Sequence, residues 1–436
     1  MQKKISVWMT AVICLFAVIV SSMVTVIVLQ EVYNSKLHEE QKLYNEALAA
    51  EMTNYSNKIA AVEEQMAEYG EIAADIQKID LMYREYYPGE LDAEALRKYA
   101  IKGYIAGTGD RYGFYYSPDE AKALMESVEG ETDGIGVNVI FDTELGCIEV
   151  IDVYPESPAE KAGVKVGDLI SHVINDDGEK ESIQIIGYDA ALSRLRGEAG
   201  TEAKFMILRD SDGDGKYEEL DFTIERAHIE TVSVTHHIYE PDKTIGVIRI
   251  SSFEKNTPAQ FTAAVDALKA EGVQKLIFDV RHNPGGDKDS VCEILDYLLP
   301  KGDLMRTVDA EDNYTTIETS DEKFLDMPMA VVMNSGTASA GELFAAAIKD
   351  YGTGKLVGDQ TFGKGSMQSI MPVFDDGSLV KLTVALYCPP TSENYDGVGI
   401  VPDVSEPLDE TLADMSFYKL TDANDNQLAA AAKTFE

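Results

Sequence analysis

The chain has 436 residues and carries 77 Asp and Glu against 37 Lys and Arg, a formal net charge of −40, at 45% hydrophobic content. That apolar content excludes a disordered chain, and at roughly 100 to 200 residues per domain the length excludes a single small module. The acidic balance, without any basic stripe interleaved with aromatics, argues against nucleic-acid binding. Cys14, Cys147, Cys292 and Cys388 are scattered without C-x-x-C spacing, and no H-E-x-x-H accompanies the histidines. Neither a zinc site nor a dense disulfide framework is therefore written here, and no metal or other cofactor is expected.

Residues 5–29 form an uncharged apolar run preceded by Lys3 and Lys4. At about 1.5 Å per residue it is long enough to cross a hydrocarbon core of about 30 Å. It lacks the short apolar region and small-x-small exit of a cleaved signal peptide. An uncleaved signal anchor is expected, with the N-terminus cytoplasmic and everything after Gln30 outside the cell membrane. From Leu48 onward Met52, Tyr55, Ile59, Val62, Met66 and Tyr69 follow in alternating steps of four and three, an a/d seam. It fits a coiled coil that pairs two chains as a homodimer, or a solvated helix packed on its own domain. Tyr86-Tyr87-Pro88-Gly89 stops it. A second helix is expected over 92–106, followed by the aromatic loop D-R-Y-G-F-Y-Y at 110–116.

Short strands with tight turns begin at Gly134. Gly134-Ile135-Gly136 leaves backbone N–H groups free for a terminal carboxylate, and the neighbouring strand edge can pair with an extended peptide. Ser157-Pro158 opens a helix that Gly163 closes, and Gly167-Asp168 turns into the next strand. G-I-G together with S-P-A-E-K-A-G-V-K-V-G-D resembles a PDZ domain, so Gly134, Ile135 and Gly136 are expected to bind a peptide end. Asp210, Asp212 and Asp214 reproduce the opening of a calcium loop, but their strand-like flanks, Asp221 at the twelfth place where Glu is usual, and the Asp-Gly pairs favour a hairpin turn over calcium binding.

The third region alternates strands and helices, as a buried parallel sheet requires. The apolar strand at 275–281 ends in Asn283-Pro284-Gly285-Gly286, where glycines allow backbone N–H groups to face a developing oxyanion. The strand at 329–333 runs into N-S-G-T-A-S-A-G-E and an amphipathic helix, so Ser339 stands at a strand-to-helix junction. A serine there commonly only caps the helix. Lys364, held between glycines in V-G-D-Q-T-F-G-K-G-S-M-Q, changes that reading, because a desolvated lysine loses its proton readily and serves as a general base.

These blocks, with I-S-S-F at 250–253, D-V-R-H-N-P-G-G at 279–286, D-G-S-L-V-K-L-T-V-A at 376–385 and G-I-V-P-D at 399–403, resemble the carboxyl-terminal processing proteases. These tail-specific enzymes form a serine peptidase family with a Ser/Lys dyad. The resemblance runs from about residue 92 to 403. It implies Ser339 as nucleophile, Lys364 as base, Gln368 as the residue orienting the lysine, and the N–H groups of Gly285 and Ala340 as oxyanion hole. It further implies that Arg196 couples the peptide-binding domain to the active site. The chain departs from the family at Gly341, where a second small hydroxyl residue is common, and at 388–396, where a threonine-proline-serine-glycine turn is usual.

The implied architecture is multidomain α/β: a crotonase-like protease core with an inserted β-rich PDZ domain, an N-terminal helical region and a single transmembrane helix. Its expected divisions are a cytoplasmic tip and anchor at 1–30, a stalk at 31–80, a helical cap at 81–130, the PDZ domain at 131–228, the peptidase core at 229–408 and a tail at 409–436. Expected partners are proteins with accessible C-terminal tails, the membrane, a second copy of the chain, and an activator or adaptor protein. Two rival readings exist. A phosphate-binding loop at 358–364 fails because Gly365 replaces the Ser or Thr that must reach magnesium. A tethered scaffold with an inactive protease fold is the alternative from another class.

Overall fold

A computed structural model describes residues 69–436, apart from 143–144, 176–177, 211–214, 310, 413–416 and 418–419. The apolar run at 5–29, the heptad positions before Tyr69, and Asp212 and Asp214 lie outside the described residues. Among the described residues, no helix is long and apolar enough to cross a membrane. The chain divides into two units, residues 1–96 and 97–436. In the first, residues 69–86 form helix α1, with Ile72, Ile76 and Ile79 exposed and Arg84 paired to Asp80 at 2.6 Å. The helix ends ahead of Pro88, whose ring disfavours helical geometry in the residue before it.

Helix α2 (Ala93–Gly107) leads to β1 (Phe114–Tyr116), α3 (Pro118–Glu129) and β2 (Glu131–Gly134). The β-rich insertion follows: β3 (Val137–Asp142), β4 (Cys147–Val153), α4 (Pro158–Ala162), β5 (Leu169–Ile174), β6 (Lys180–Ser182), α5 (Ile183–Ile186), α6 (Tyr188–Leu195), β7 (Glu202–Arg209) and β8 (Glu218–Glu225). Its strands run in the order β3-β4-β5-β7-β8, with β6 on β5. The sheet closes on a core of its own, in which Ile148, Val150, Ile170, Val173, Phe205 and Ile207 are fully buried. Ser157 accepts the Glu160 N–H at 3.1 Å to cap α4, with Pro158 at the first helical position. Strand β9 (Ala227–Glu230) then returns antiparallel beside β2, so the insertion hangs from a two-stranded neck.

The remaining elements build the core: β10 (Val234–Ile238), β11 (Ile245–Ile250), α7 (Thr257–Ala270), β12 (Lys275–Asp279), α8 (Lys288–Leu298), β13 (Gly302–Val308), β14 (Tyr314–Ser320), β15 (Met329–Met333), α9 (Ala340–Tyr351), β16 (Gly354–Gly358), β17 (Ser366–Pro372), β18 (Leu379–Cys388), β19 (Val404–Ser405) and α10 (Asn426–Lys433). The main sheet has the order β10-β11-β12-β15-β16-β19, parallel from β11 onward. Both of its faces are covered, which explains why β12 and β15 read as continuous apolar runs. Leu276, Phe278 and Val331 pack under Phe261, Leu295 and Phe344 of α7, α8 and α9, whereas Ile277, Ala330 and Val332 face Leu428 and Ala431 of α10. Each fully buried large side chain contributes about 1.5–3 kcal/mol before conformational entropy is subtracted. A second sheet, β1-β18-β13-β14 with β17 on β18, stands beside it.

The C-terminal segment read from the sequence as a tail is therefore part of the core. Asp425 caps α10 and, with Asp279, grips the buried Arg281 guanidinium at 2.8 and 2.7 Å. The alanine-rich sequence of α10 hides this role, because small side chains give little hydrophobic contrast.

Candidate active site

The chain leaves β15 at Met333 and enters α9 at Ala340, and Ser339 takes the turn between them at φ 53°, ψ −119°. A side chain with a Cβ pays about 1–3 kcal/mol for such a conformation, so neighbours must impose it. They do: Thr337 Oγ1 donates to the Val280 carbonyl at 2.8 Å, the Ala338 N–H to the Asn283 carbonyl at 2.8 Å, and the Ser339 N–H to Glu342 Oε2 at 2.9 Å. Ser339 thus projects at the positive end of the α9 dipole, where developing negative charge is favoured.

Glu342 is fully buried and accepts four hydrogen bonds. Two come from the N–H groups of Ser339 and Lys364, and two from Thr361 Oγ1 and the Gly363 N–H, at 2.6–2.9 Å. One carboxylate therefore ties the serine turn to the lysine loop. The signal for it lay in S-x-x-E, the capping-box spacing from Ser339 to Glu342.

Lys364 is half-buried. Burial lowers its pKa from the ordinary lysine value, Lys381 pushes the same way, and Glu342 and Asp396 oppose. Its Nζ lies 4.7 Å from the centroid of the Tyr112 ring. Among the described residues, no hydrogen bond joins Lys364 Nζ to Ser339 Oγ or to Gln368. Gln368 Nε2 donates instead to the Ser366 carbonyl at 3.1 Å, Ser366 Oγ at 3.0 Å and Thr383 Oγ1 at 3.4 Å. The structure thus gathers the three residues around one cavity without closing the contacts between them.

That cavity, about 550 Å³, is lined by Ser339, Ala340, Lys364, Gln368 and Gly285, with Phe253, Val291 and Met305 as apolar wall. Gly285, at φ +99°, has no room for a side chain: a Cβ there would stand 2.7 Å from that of Ser339. Its N–H donates to Asn283 Oδ1 at 2.8 Å and so is engaged in this conformation rather than turned to an oxyanion. The Ala340 N–H has no acceptor among the described residues. Gly341 is less confined: a Cβ would lie 3.1 Å from Thr337 Cγ2 and 3.2 Å from the Asn283 carbonyl, tight contacts that a small shift of the threonine could ease. Tyr387 and Tyr395 share a 2.7 Å hydrogen bond, and Tyr387 donates to the Lys364 carbonyl at 3.1 Å. Burial raises both phenols, keeping them neutral. Sequence reasoning missed this pair, which sits at the departure around 388–396. A larger cavity, about 640 Å³, surrounds Arg249, Asp279 and Arg281 and contains neither Ser339 nor Lys364.

In the insertion, Gly134 lies in the neck, Ile135 is buried, and Gly136 turns at φ +83°. The carbonyls of Ile135 and Gly136 accept the N–H groups of Ala159 and Tyr154 at 2.8 and 3.0 Å. Arg196 is exposed at the end of α6. Asp210 accepts the Gly215 N–H at 3.0 Å where β7 turns into β8, and the described residues include no cluster able to hold a metal ion.

The comparisons agree with this fold. The model of peptidase family S41 matches residues 244–406. A carboxy-terminal-processing protease of Bartonella bacilliformis is 32% identical over 356 residues, which cover 79% of this chain and 76% of that protein. A CtpA-like serine protease of Staphylococcus epidermidis is 32% identical over 339 residues, 76% of this chain and 65% of that relative's length. The crystal structure of an S41 protease from Bacteroides fragilis matches with a TM-score of 0.52 at 16% identity, covering 80% of this chain and 92% of that one, a likeness of fold. The resemblance read from the motifs is borne out: the chain belongs to peptidase family S41.

Proposed function

We propose that the chain is a membrane-anchored serine endopeptidase of the carboxyl-terminal processing type, cleaving extracytoplasmic proteins whose C-terminal tails are held by the inserted domain, read as a PDZ domain. The observation that carries the proposal is the strained Ser339 at the head of α9, tied through Glu342 to the loop of a lysine whose proton is held less firmly than usual. In the proposed reaction the neutral Lys364 amine takes the Ser339 proton and Oγ attacks the scissile carbonyl carbon. The Ala340 N–H faces the resulting oxyanion, the Lys364 ammonium protonates the departing amine, and water hydrolyses the acyl-enzyme ester. Anchoring rests on the apolar run at 5–29, and pairing of two copies on the heptad seam together with the exposed Ile72, Ile76 and Ile79.

The test is cleavage of an unfolded reporter with an apolar C-terminal tail by the full chain in detergent, beside Ser339→Ala and Lys364→Ala. Cleavage by the parent alone is expected, with each variant at least about a thousandfold slower. Silence of all three, with the reporter still bound, would instead support the scaffold reading.

A further inference from the structure

Tyr112 belongs to the loop between α2 and β1, far in sequence from the lysine it meets. Asp110 carries it there: its carboxylate accepts both the N–H and the Oγ1 of Thr383 on β18 at 2.8 Å, and the Tyr112 N–H turns back onto Asp110 at 3.0 Å. The ring is thereby delivered to Lys364, 4.7 Å from centroid to Nζ. That is within the distance of about 6 Å at which an aromatic face attracts a cation.

The contact discriminates between the two forms of the lysine. An ammonium is drawn to the negative face of the ring, whereas a neutral amine is not. A general base must be neutral, and must reach the serine. Among the described residues, the Lys364 nitrogen has no hydrogen-bond acceptor and no ion-pair partner, so the ring is what holds it. The other ionisable groups around it do not replace that hold. Glu342 spends its carboxylate on four other donors, Asp396 accepts the Gly365 N–H at 2.9 Å, Lys288 is paired with Glu318, and Lys381 carries like charge, while Arg111 lies farther out over the same Tyr112 ring, 5.9 Å from its centroid. Tyr387 is neutral and directed to the Lys364 carbonyl.

We propose that Tyr112 is a positioning residue for the general base: its ring seats the Lys364 ammonium in a resting position not hydrogen-bonded to Ser339, and loss of the proton releases the amine to the nucleophile. The proposal rests on the reading of Lys364 as base. It makes the loop at 110–116, and not the β-rich insertion, the element that sets the resting state of the lysine. Because the ring favours the charged form, it holds the ionisation midpoint of Lys364 above the value that burial alone would give.

The test compares the full chain with Tyr112→Leu and Tyr112→Phe. Competitive acetylation with acetic anhydride across pH, read by peptide mass spectrometry, gives the ionisation of the Lys364 amine without any reference to catalysis. Cleavage of the unfolded reporter across pH gives the matching limb of kcat/KM. Tyr112→Leu is expected to lower both midpoints by about one pH unit, and to raise kcat/KM on the acid side by about tenfold. Tyr112→Phe, which keeps the ring, is expected to behave as the parent. Tyr112→Met fills similar volume without a π face and gives the same readout should the leucine variant fold poorly. An acetylation midpoint unchanged by leucine and methionine, or shifted as far by phenylalanine, overturns the proposal. Cleavage that persists in Lys364→Ala overturns the Ser/Lys reading instead, and the acetylation midpoints still report on the ring.

Discussion

Glu342 shows how much of this site depends on a residue outside the reacting set. Its two oxygens face four donors. In Glu342→Gln the amide nitrogen must confront one pair of those donors, leaving at least one backbone N–H unsatisfied in the interior, so a loss of about 1–3 kcal/mol is expected in urea unfolding, with a fall in kcat/KM. Gly285→Ala tests the turn opposite: a Cβ 2.7 Å from Ser339 Cβ and 2.9 Å from the Ala338 carbonyl displaces Ser339, so on the proposed mechanism kcat is expected to fall at least about tenfold with folding largely retained. Lys364 sets a pH dependence of definite sign. Its pKa is lowered on folding, so the unfolded chain binds more protons between the two values and stability rises with pH across that interval. Activity should rise with pH through the lowered value, visible as the acid limb of kcat/KM. The gathering of Ser339, Lys364 and Gln368 around one cavity was legible in the sequence because each stands inside a motif of fixed spacing. Tyr112 was not, because nothing local connects it to a lysine more than two hundred residues later.

Among the elements, α10 is where the sequence misleads and the physics is clear. Arg281 lies at the end of β12, buried with Asp279 and with Asp425, the cap of α10. Removing one member of a buried ionic cluster typically costs about 3–5 kcal/mol, because the remaining charges lose their partner. Arg281→Ala is therefore expected to lower the urea midpoint and to expose the backbone amides of α10 to rapid hydrogen exchange. The Asp279 carboxyl is held below its ordinary pKa by Arg281 despite its burial. Its contribution is present above the unfolded carboxyl value and is lost as pH falls through the folded one. Strands β12 and β15 and helices α7 and α9 were readable from periodicity, since their apolar residues match the faces they bury. The tail assignment failed because α10 presents mostly alanine, and its anchor is a charge carried by another element.

Across the whole molecule, the neck formed by β2 and β9 is where the insertion meets the core. His228 on β9 reaches Asp133 and Glu131 of β2 through its two ring nitrogens, both at 2.9 Å. Hydrogen bonds to Asp133 and then Glu131 raise its pKa. The stabilisation it lends is full below the unfolded histidine value and fades as pH rises through the raised one. The ring is exposed, so the effect is modest and falls with salt. An NMR titration should place its midpoint above the ordinary histidine value, and Asp133→Asn should move it back. The β-rich insertion and the α/β core were legible from turn motifs and strand-helix alternation, whereas the pairing of the insertion's two ends was not, since nothing local links Glu131 to Glu230. The Thr231 N–H donates to the Gly130 carbonyl at 2.9 Å, so the chain departs and returns at nearly the same point, and the insertion has a hydrophobic interior of its own. A cassette built this way can be lengthened, shortened or replaced between residues 130 and 231 with little demand on the rest of the chain, because its packing is self-contained and its two ends already adjoin.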